Sequence, residues 1–379
     1  MEPFFRRTWA EIDLDAVRYN YTYIRSLLAP TTQLMAVVKA DAYGHCVQRV
    51  ARVYDEAGAT WFAVSNLEEA LQLRQMGLRQ RILILSYTPP EAVKTLAAEA
   101  ITTAVVSREH AEALDARAAA EGVTLTVHLK VDTGMGRVGL RDDADIAAVC
   151  RLPHLNAEGI FTHFATADSD DEAYTNAQFA AFQAHIAAAK AAGVTFALHH
   201  CCNSAATLRY PNMHMDLVRP GIILYGCMPD GSINEHLRPV MALKTAISQV
   251  KTLKAGESVS YGRTFCATED MTLATVPIGY ADGYSRLLSN RAEMLVNGQR
   301  ASVVGNVCMD QTMLDVSGIQ NVEAGTAITA FGGDLRVEEL ATLTGSISYE
   351  LLCLVGKRVP RVFLQNGEVV GVHDGIQPK

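Results

Sequence analysis

Lys39, Lys130, His163, Asn203 with Ser204, and Arg219 each fall at or just past the C-terminal end of a short apolar run. α/β proteins gather their chemistry at such ends. Lys39 closes the run Leu34-Met-Ala-Val-Val and is followed at once by Ala-Asp-Ala-Tyr-Gly-His45. A lysine there is costly to bury unless it is paired or neutralised. A Schiff base with a carbonyl cofactor neutralises it; the plain alternative is a side chain that snorkels to water.

A second pattern needs weighing. Gly134-Met-Gly136-Arg-Val-Gly139 matches GxGxxG. The dinucleotide fingerprint opens a first βαβ unit, whereas this one follows roughly the fifth strand. Glu158, about 20 positions on, falls early in the next strand rather than at its end. The better reading is a tight loop that needs positive φ and carries Arg137 toward the other strand ends.

The elements that must position these groups alternate from residue 34 to about 226. Candidate strands are Leu34 to Lys39, Trp61 to Ser65, Ile82 to Ser86, Thr102 to Val106, Thr124 to Lys130, Asn156 to His163, Thr195 to His200 and Asp216 to Arg219. Helical stretches between them include Glu68 to Met76, Glu91 to Ala100, Glu109 to Glu121 and Glu172 to Ala192, the last stopped by Gly193. About eight βα units is the count of a TIM (β/α)8 barrel; a doubly wound sheet is the alternative. After Pro239 strands dominate: Ala242 to Leu253, Thr272 to Pro277, Ala292 to Val296, Ala301 to Val304, Thr312 to Val316, Ala327 to Phe331 and Val359 to Leu364. Asn297-Gly298 and Asn366-Gly367 mark hairpin turns. Only Val337 to Leu343 and Ser348 to Leu354 look helical there. The division is therefore 1–238, an α/β barrel, and 239–379, a mostly β C-terminal domain. Arg7 to Asp13 reads as a strand that precedes the barrel and pairs elsewhere.

At 379 residues the chain has room for two domains. Its net charge of −8 without a basic block disfavours nucleic-acid binding. The longest apolar runs are too short to span a bilayer, and Met1 to Glu11 lacks the apolar core of a signal peptide. The 8 cysteines show neither a disulfide framework nor a paired CxxC, which suits a reduced cytoplasmic protein. Along His199-His200-Cys201-Cys202, strand alternation keeps the four from converging on one metal ion.

In a barrel the strand ends form one mouth, and phosphate binds beside the loops after strands 7 and 8. Those loops carry Asn203-Ser204 and Pro220-Gly221-Ile222. A phosphate site beside a strand-end lysine points to pyridoxal 5′-phosphate.

Here a resemblance enters. AVVKADAYGH (36–45), KVDTGMGRVG (130–139), THFATAD (162–168), CNSAAT (202–207), LVRPGIILYG (217–226), VSYGRTF (259–265), GYADGYSR (279–286) and VCMDQ (307–311) resemble, in one order, the motifs of alanine racemases. The resemblance implies a barrel binding pyridoxal phosphate, a β-domain, and a head-to-tail homodimer that shares its sites. It implies that Lys39 carries the cofactor and serves as one base, with Tyr261 of the other subunit as the second. Tyr43, Ser204, Gly221, Ile222 and Tyr349 would hold the phosphate, with Asn203 beside them. Arg219 would face the pyridine nitrogen, supported by His163. Arg137 would contact the ring's phenolic oxygen, oriented by a carbamylated Lys130. Met309 and Asp310 of the partner would shape the substrate pocket and Tyr280 its entrance.

The chemistry explains the set. Racemisation removes a Cα proton from one face and returns one to the other, so two bases on opposite faces are the simpler solution. Ordinary values near 10 for tyrosine and 10.4 for lysine must be lowered for either to work. An arginine does not surrender its proton, so the pyridine nitrogen opposite it stays unprotonated. The plain alternatives are an Arg219–Asp216 ion pair, a turn tyrosine at 261 and a structural histidine at 163. Two positions depart from the family pattern. Cys46 stands where glycine is common, and Asn306 stands where arginine is common, removing a positive charge from the substrate entrance. Rival functions are a serine or broad-specificity racemase, a barrel decarboxylase, which would want glutamate in place of Arg219, and a non-catalytic cofactor carrier, which would lack the β-domain.

Overall fold

The computed structural model describes residues 7–376; the start of the Met1 to Glu11 stretch lies outside the described residues. Strand β1 (Thr8–Asp13) leads into a helix, Leu14–Ser26, whose first turn is capped by the Asp13 carboxylate accepting from Ala16 N–H at 2.9 Å. The sequence reading does not include this helix, because its aromatic and β-branched residues mask the inward stripe of Val17, Tyr21 and Ile24.

Eight parallel strands follow: β2 (Gln33–Val37), β3 (Trp61–Val64), β4 (Arg81–Ile84), β5 (Ile101–Val105), β6 (Leu125–Lys130), β7 (Leu155–Phe161), β8 (Leu198–His200) and β9 (Leu217–Val218). They form one sheet in the order β8-β7-β6-β5-β4-β3-β2-β9. Asp216 N–H donates to His199 O (3.2 Å) and Arg219 N–H donates to Cys202 O (3.0 Å), closing the ring between β8 and β9. The strands are apolar and buried, as a sheet covered on both faces requires.

The chain then builds β10 (Met241–Ala246), β11 (Gln249–Leu253), β12 (Ser258–Val259), β13 (Phe265–Cys266), β14 (Met271–Val276), β15 (Glu293–Val296), β16 (Gln299–Ser302), β17 (Thr312–Asp315), β18 (Ala327–Phe331), β19 (Arg361–Gln365) and β20 (Glu368–His373). A seven-stranded sheet runs β16-β15-β18-β10-β1-β19-β20, a second sheet runs β11-β14-β17, and β12-β13 form a hairpin. β1 thus joins the β-rich part, antiparallel to β10 and parallel to β19. The single strand expected over Ala242 to Leu253 is two strands in different sheets. No turn residue marks the break: Ile247 N–H donates to Thr326 O and Ser248 N–H to Thr275 O, so consecutive residues serve different sheets. β20 is a further strand, reached through the Asn366-Gly367 turn, where both residues have positive φ. Buried Asn20 ties the two parts together, donating to Arg238 O and accepting from Arg238 N–H. Among the described residues no helix is long and apolar enough to cross a membrane.

Candidate active site

Lys39 lies two residues beyond β2 and opens a five-residue turn, Lys39–Tyr43. Ala40, Asp41 and Ala42 have φ of 53°, 54° and 55° with ψ near 50°, so the turn is a left-handed helix. L-residues pay about 1–2 kcal/mol each for this hand, and the surroundings over-determine it. Ala40 N–H donates to Glu69 Oε1 at 2.7 Å, Val47 N–H donates to Asp41 Oδ1 at 2.8 Å, and Arg361 Nε donates to Gly44 O at 3.0 Å. His45 Nδ1 lies 2.9 Å from both Ala42 O and Tyr43 O. Carbonyls only accept, so this nitrogen carries the proton, and burial pulls the imidazole down to about 4 and keeps it neutral. Cys46 follows with φ 70°, a left-handed value that explains why glycine suits the position.

Two clefts meet at the barrel mouth and share Lys39, Leu85, His163 and Arg219. The first adds Tyr43, Asn203, Ser204, Gly221 and Tyr349; the second adds Ser65, Lys130 and Arg137. Burial, then Arg137, pushes the Lys39 amine below its ordinary value, with Glu69 opposing. Burial, then Arg219, lowers Lys130 to about 7, and its Nζ donates to Val131 O at 2.7 Å. Arg137 is delivered by the glycine loop, whose three glycines have φ of +138°, +69° and +137°. Asp132 pins that loop, accepting from Gly136 N–H and from Arg141.

Arg219 is buried, with both terminal nitrogens hydrogen-bonded. It donates to His200 Nδ1 (2.8 Å), Thr162 O (2.8 Å) and Cys201 O (3.2 Å), while His163 Nδ1 stands further off at 3.4 Å. The nearest side-chain partner of Arg219 is therefore His200 rather than His163, and sequence reasoning did not select it. Asp216 instead meets His199, at 2.8 Å from Nδ1. Burial lowers Arg219 only to about 10, so it keeps its charge at neutral pH. His200 Nε2 contacts His128 Nδ1 at 2.8 Å, and His128 Nε2 contacts Glu158 Oε2 at 3.4 Å. Glu158 is held down to about 2 by the His128 hydrogen bond and by Arg81. Gly159 was the readable signal: a Cβ there would stand 2.8 Å from the His128 ring, so the glycine makes room for it.

At the far end of the first cleft Ser204 Oγ accepts from Gly221 N–H at 2.8 Å, and Ile222 begins the turn that follows. A Cβ on Gly221 would stand 2.4 Å from Tyr43 Oη, so the glycine makes room for the tyrosine hydroxyl. The Tyr43 ring lies between those of Tyr225 and Tyr349, with centroids 4.8 and 5.9 Å away. Asn203 lines the cleft but uses its amide locally, accepting from Ala206 N–H and donating to Phe164 O. Past β8 the backbone no longer alternates, and the Cys201 and Cys202 thiols both donate to Met213 O.

Tyr261, Tyr280, Met309 and Asp310 line neither cleft. They gather on the β-rich part, where Tyr261 is 71% and Met309 53% exposed. Tyr280 N–H donates to Cys308 O, Ala281 N–H donates to Met309 O, and Arg358 ties Asp310 to buried Asp282.

A lysine and a buried arginine, lining clefts at a closed (β/α)8 mouth with a second domain beside it, define a two-domain barrel protein with a candidate active site. Comparison with known proteins narrows the class. The family models "Alanine racemase, N-terminal domain" and "Alanine racemase, C-terminal domain" match residues 12–229 and 240–363. The chain is 48% identical over 364 residues to the alanine racemase of Desulforamulus reducens, covering 94% of this chain and 98% of that protein. The alanine racemase structure from Bacillus anthracis with bound L-Ala-P superposes with TM-score 0.92 at 37% identity, over 98% of this chain and 99% of that one. The structure from Bartonella henselae with covalently bound pyridoxal phosphate does so with TM-score 0.88 at 29% identity, over 94% and 99%. This chain belongs to the alanine racemase family, whose members are isomerases that depend on pyridoxal phosphate.

Proposed function

We propose that the chain interconverts L- and D-alanine at a site built from two copies of itself, with pyridoxal 5′-phosphate in the two clefts. The donor set suits that cofactor: Tyr43, Ser204, Gly221 and Tyr349 line one cleft together with Arg219 and Lys39, and Ile222 follows directly on Gly221. Once bound, pyridoxal phosphate makes a substrate's Cα proton acidic by spreading the resulting charge over its ring.

The protein's own groups do the rest. Lys39, its amine pushed down by burial, takes or returns the Cα proton on one face. Tyr261 of the partner subunit does so on the other. Arg219 would face the ring nitrogen and, as a guanidinium, would donate a hydrogen bond there without giving up its proton. Lys130, lowered to about 7, offers a neutral amine that adds to carbon dioxide and releases one N–H proton to solvent, and the resulting carbamate would orient Arg137. Met309, Asp310 and Tyr280 of the partner wall the pocket and its entrance; His163 and Asn203 line the ring and phosphate ends. In this reading 1–238 is the cofactor domain, 239–379 supplies the second base, and the enzyme serves cell-wall precursor synthesis in the cytoplasm.

The carrying observation is the separation of Lys39, inside the cleft, from Tyr261, exposed on the β-rich surface. A homodimer that exchanges these surfaces supplies both. The test loads the protein with pyridoxal phosphate, records the absorbance of a lysine-bound cofactor, and follows alanine and serine by chiral chromatography. Racemisation of alanine with little of serine is expected. A cofactor band without racemisation would identify a carrier instead.

A further inference from the structure

Tyr261 is so exposed that packing cannot fix it. Its backbone is also unusual: Ser260, Gly262 and Arg263 have φ of 65°, 74° and 50°. A segment with three left-handed residues does not keep its shape unaided. Ser260 Oγ donates to Asn306 O at 2.6 Å, and Asn306 Nδ2 donates to Tyr261 O at 2.6 Å. Asn290 adds a second brace, accepting from Gly305 N–H at 2.5 Å and donating to Thr264 Oγ1 at 3.0 Å. Gly305 permits the close approach, since a Cβ there would lie 2.9 Å from Ser260 Cβ and from Val259 O. The strand of loop that starts at Asn306 runs on to Met309 and Asp310.

We propose that Asn306 is a positioning residue for Tyr261: its side-chain amide, donating to the Tyr261 carbonyl, sets the phenol in register with the pocket wall at Met309 and Asp310. The inference rests on the reading of Tyr261 as second base. The lost charge at 306 thereby acquires a compensating role, because a short amide reaches this carbonyl while leaving the Ser260 contact intact.

The test compares cofactor-loaded Asn306→Ala, Asn306→Asp and Asn306→Gln with the parent. Asn306→Asp keeps the shape but presents acceptors where a donor is needed. Two readouts are taken: amide hydrogen exchange over residues 260–264, and the α-deuterium isotope effect for each enantiomer of alanine separately. Asn306→Ala and Asn306→Asp should speed exchange about tenfold and lower kcat about tenfold. They should raise the isotope effect for one enantiomer only, the one whose proton Tyr261 removes. Asn306→Gln, which retains a donor, should recover most of the loss. Unchanged exchange would show that no latch exists. Faster exchange with isotope effects unchanged, or raised equally for both enantiomers, would show that the latch does not position the base; both results overturn the proposal. Tyr261→Phe separates the premise: if it leaves both isotope effects unaltered, the second-base reading itself fails and the proposal with it.

Discussion

Arg219 Nη1 donates to His200 Nδ1 at 2.8 Å, and that one direction orders every proton behind it. A guanidinium only donates. His200 Nδ1 must accept, so its proton sits on Nε2 and points to His128 Nδ1; the His128 proton then points to Glu158. Burial keeps both imidazoles neutral at physiological pH. The chain carries a negative end at Glu158 and a positive end at the barrel mouth, which holds Arg219 charged and still.

His200→Phe should preserve volume but leave a buried guanidinium N–H without its acceptor. The expected loss is about 1–3 kcal/mol of stability, with racemisation reduced about tenfold. Thermal unfolding and kcat measured on the same preparation check this. Full activity at parental stability would mean that Thr162 O and Cys201 O suffice to hold Arg219.

Arg219→Glu reverses the polarity of the whole relay. A carboxylate can only accept from His200, so the His200 imidazole must change tautomer or take a second proton. The ring nitrogen would then be protonated and become a stronger electron sink, and transamination should appear beside racemisation. Pyruvate release from D- or L-alanine measures it; none above the parent's level would contradict the role given to Arg219.

The left-handed turn after Lys39 stores strain that glycine would relieve. Ala40 is exposed and has φ 53°, so Ala40→Gly removes the left-handed penalty without emptying the core. It should stabilise the protein by about 0.5–1 kcal/mol while lowering kcat, because the turn that aims Lys39 gains freedom. Denaturant unfolding with kinetics reads both changes. A less stable variant would show that this turn is not strained at Ala40.

Lys130 gives a pH signature. Its folded value of about 7 lies below the ordinary 10.5, so between those values the unfolded chain binds the extra proton and stability rises with pH. As pH falls through about 7 the amine becomes charged and loses its reactivity toward carbon dioxide. A carbamate signal in 13C spectra with labelled bicarbonate should be present at about pH 8, fade below about pH 7 and be missing in Lys130→Ala.

Much of this was legible in the sequence. The eight apolar runs locate the barrel strands, and the glycine loop discloses itself as a positive-φ turn rather than a nucleotide site. Lys39 and Arg219 announce themselves as charges at strand ends. Other features were hidden for physical reasons. Ala-Asp-Ala-Tyr contains no glycine, so nothing in those four residues betrays a left-handed helix; contacts with Glu69, Val47, His45, Arg361 and the Tyr225 ring hold it. His200 and His128 are 72 positions apart, and their meeting depends on barrel curvature. Gly159 in mid-strand was the one local hint. The latch at Asn306 joins two loops 45 positions apart, which no periodicity encodes.

The central claim is that the two bases come from different chains. Lys39→Ala and Tyr261→Ala proteins, each inactive alone, should be unfolded together, refolded as a mixture, loaded with pyridoxal phosphate and assayed for alanine racemisation. In mixed dimers one site carries both defects and the other neither, so activity should return toward about a quarter of the parent's under random pairing. No recovery, with mixed dimers demonstrated by native mass spectrometry, would contradict the account and place both bases within one chain.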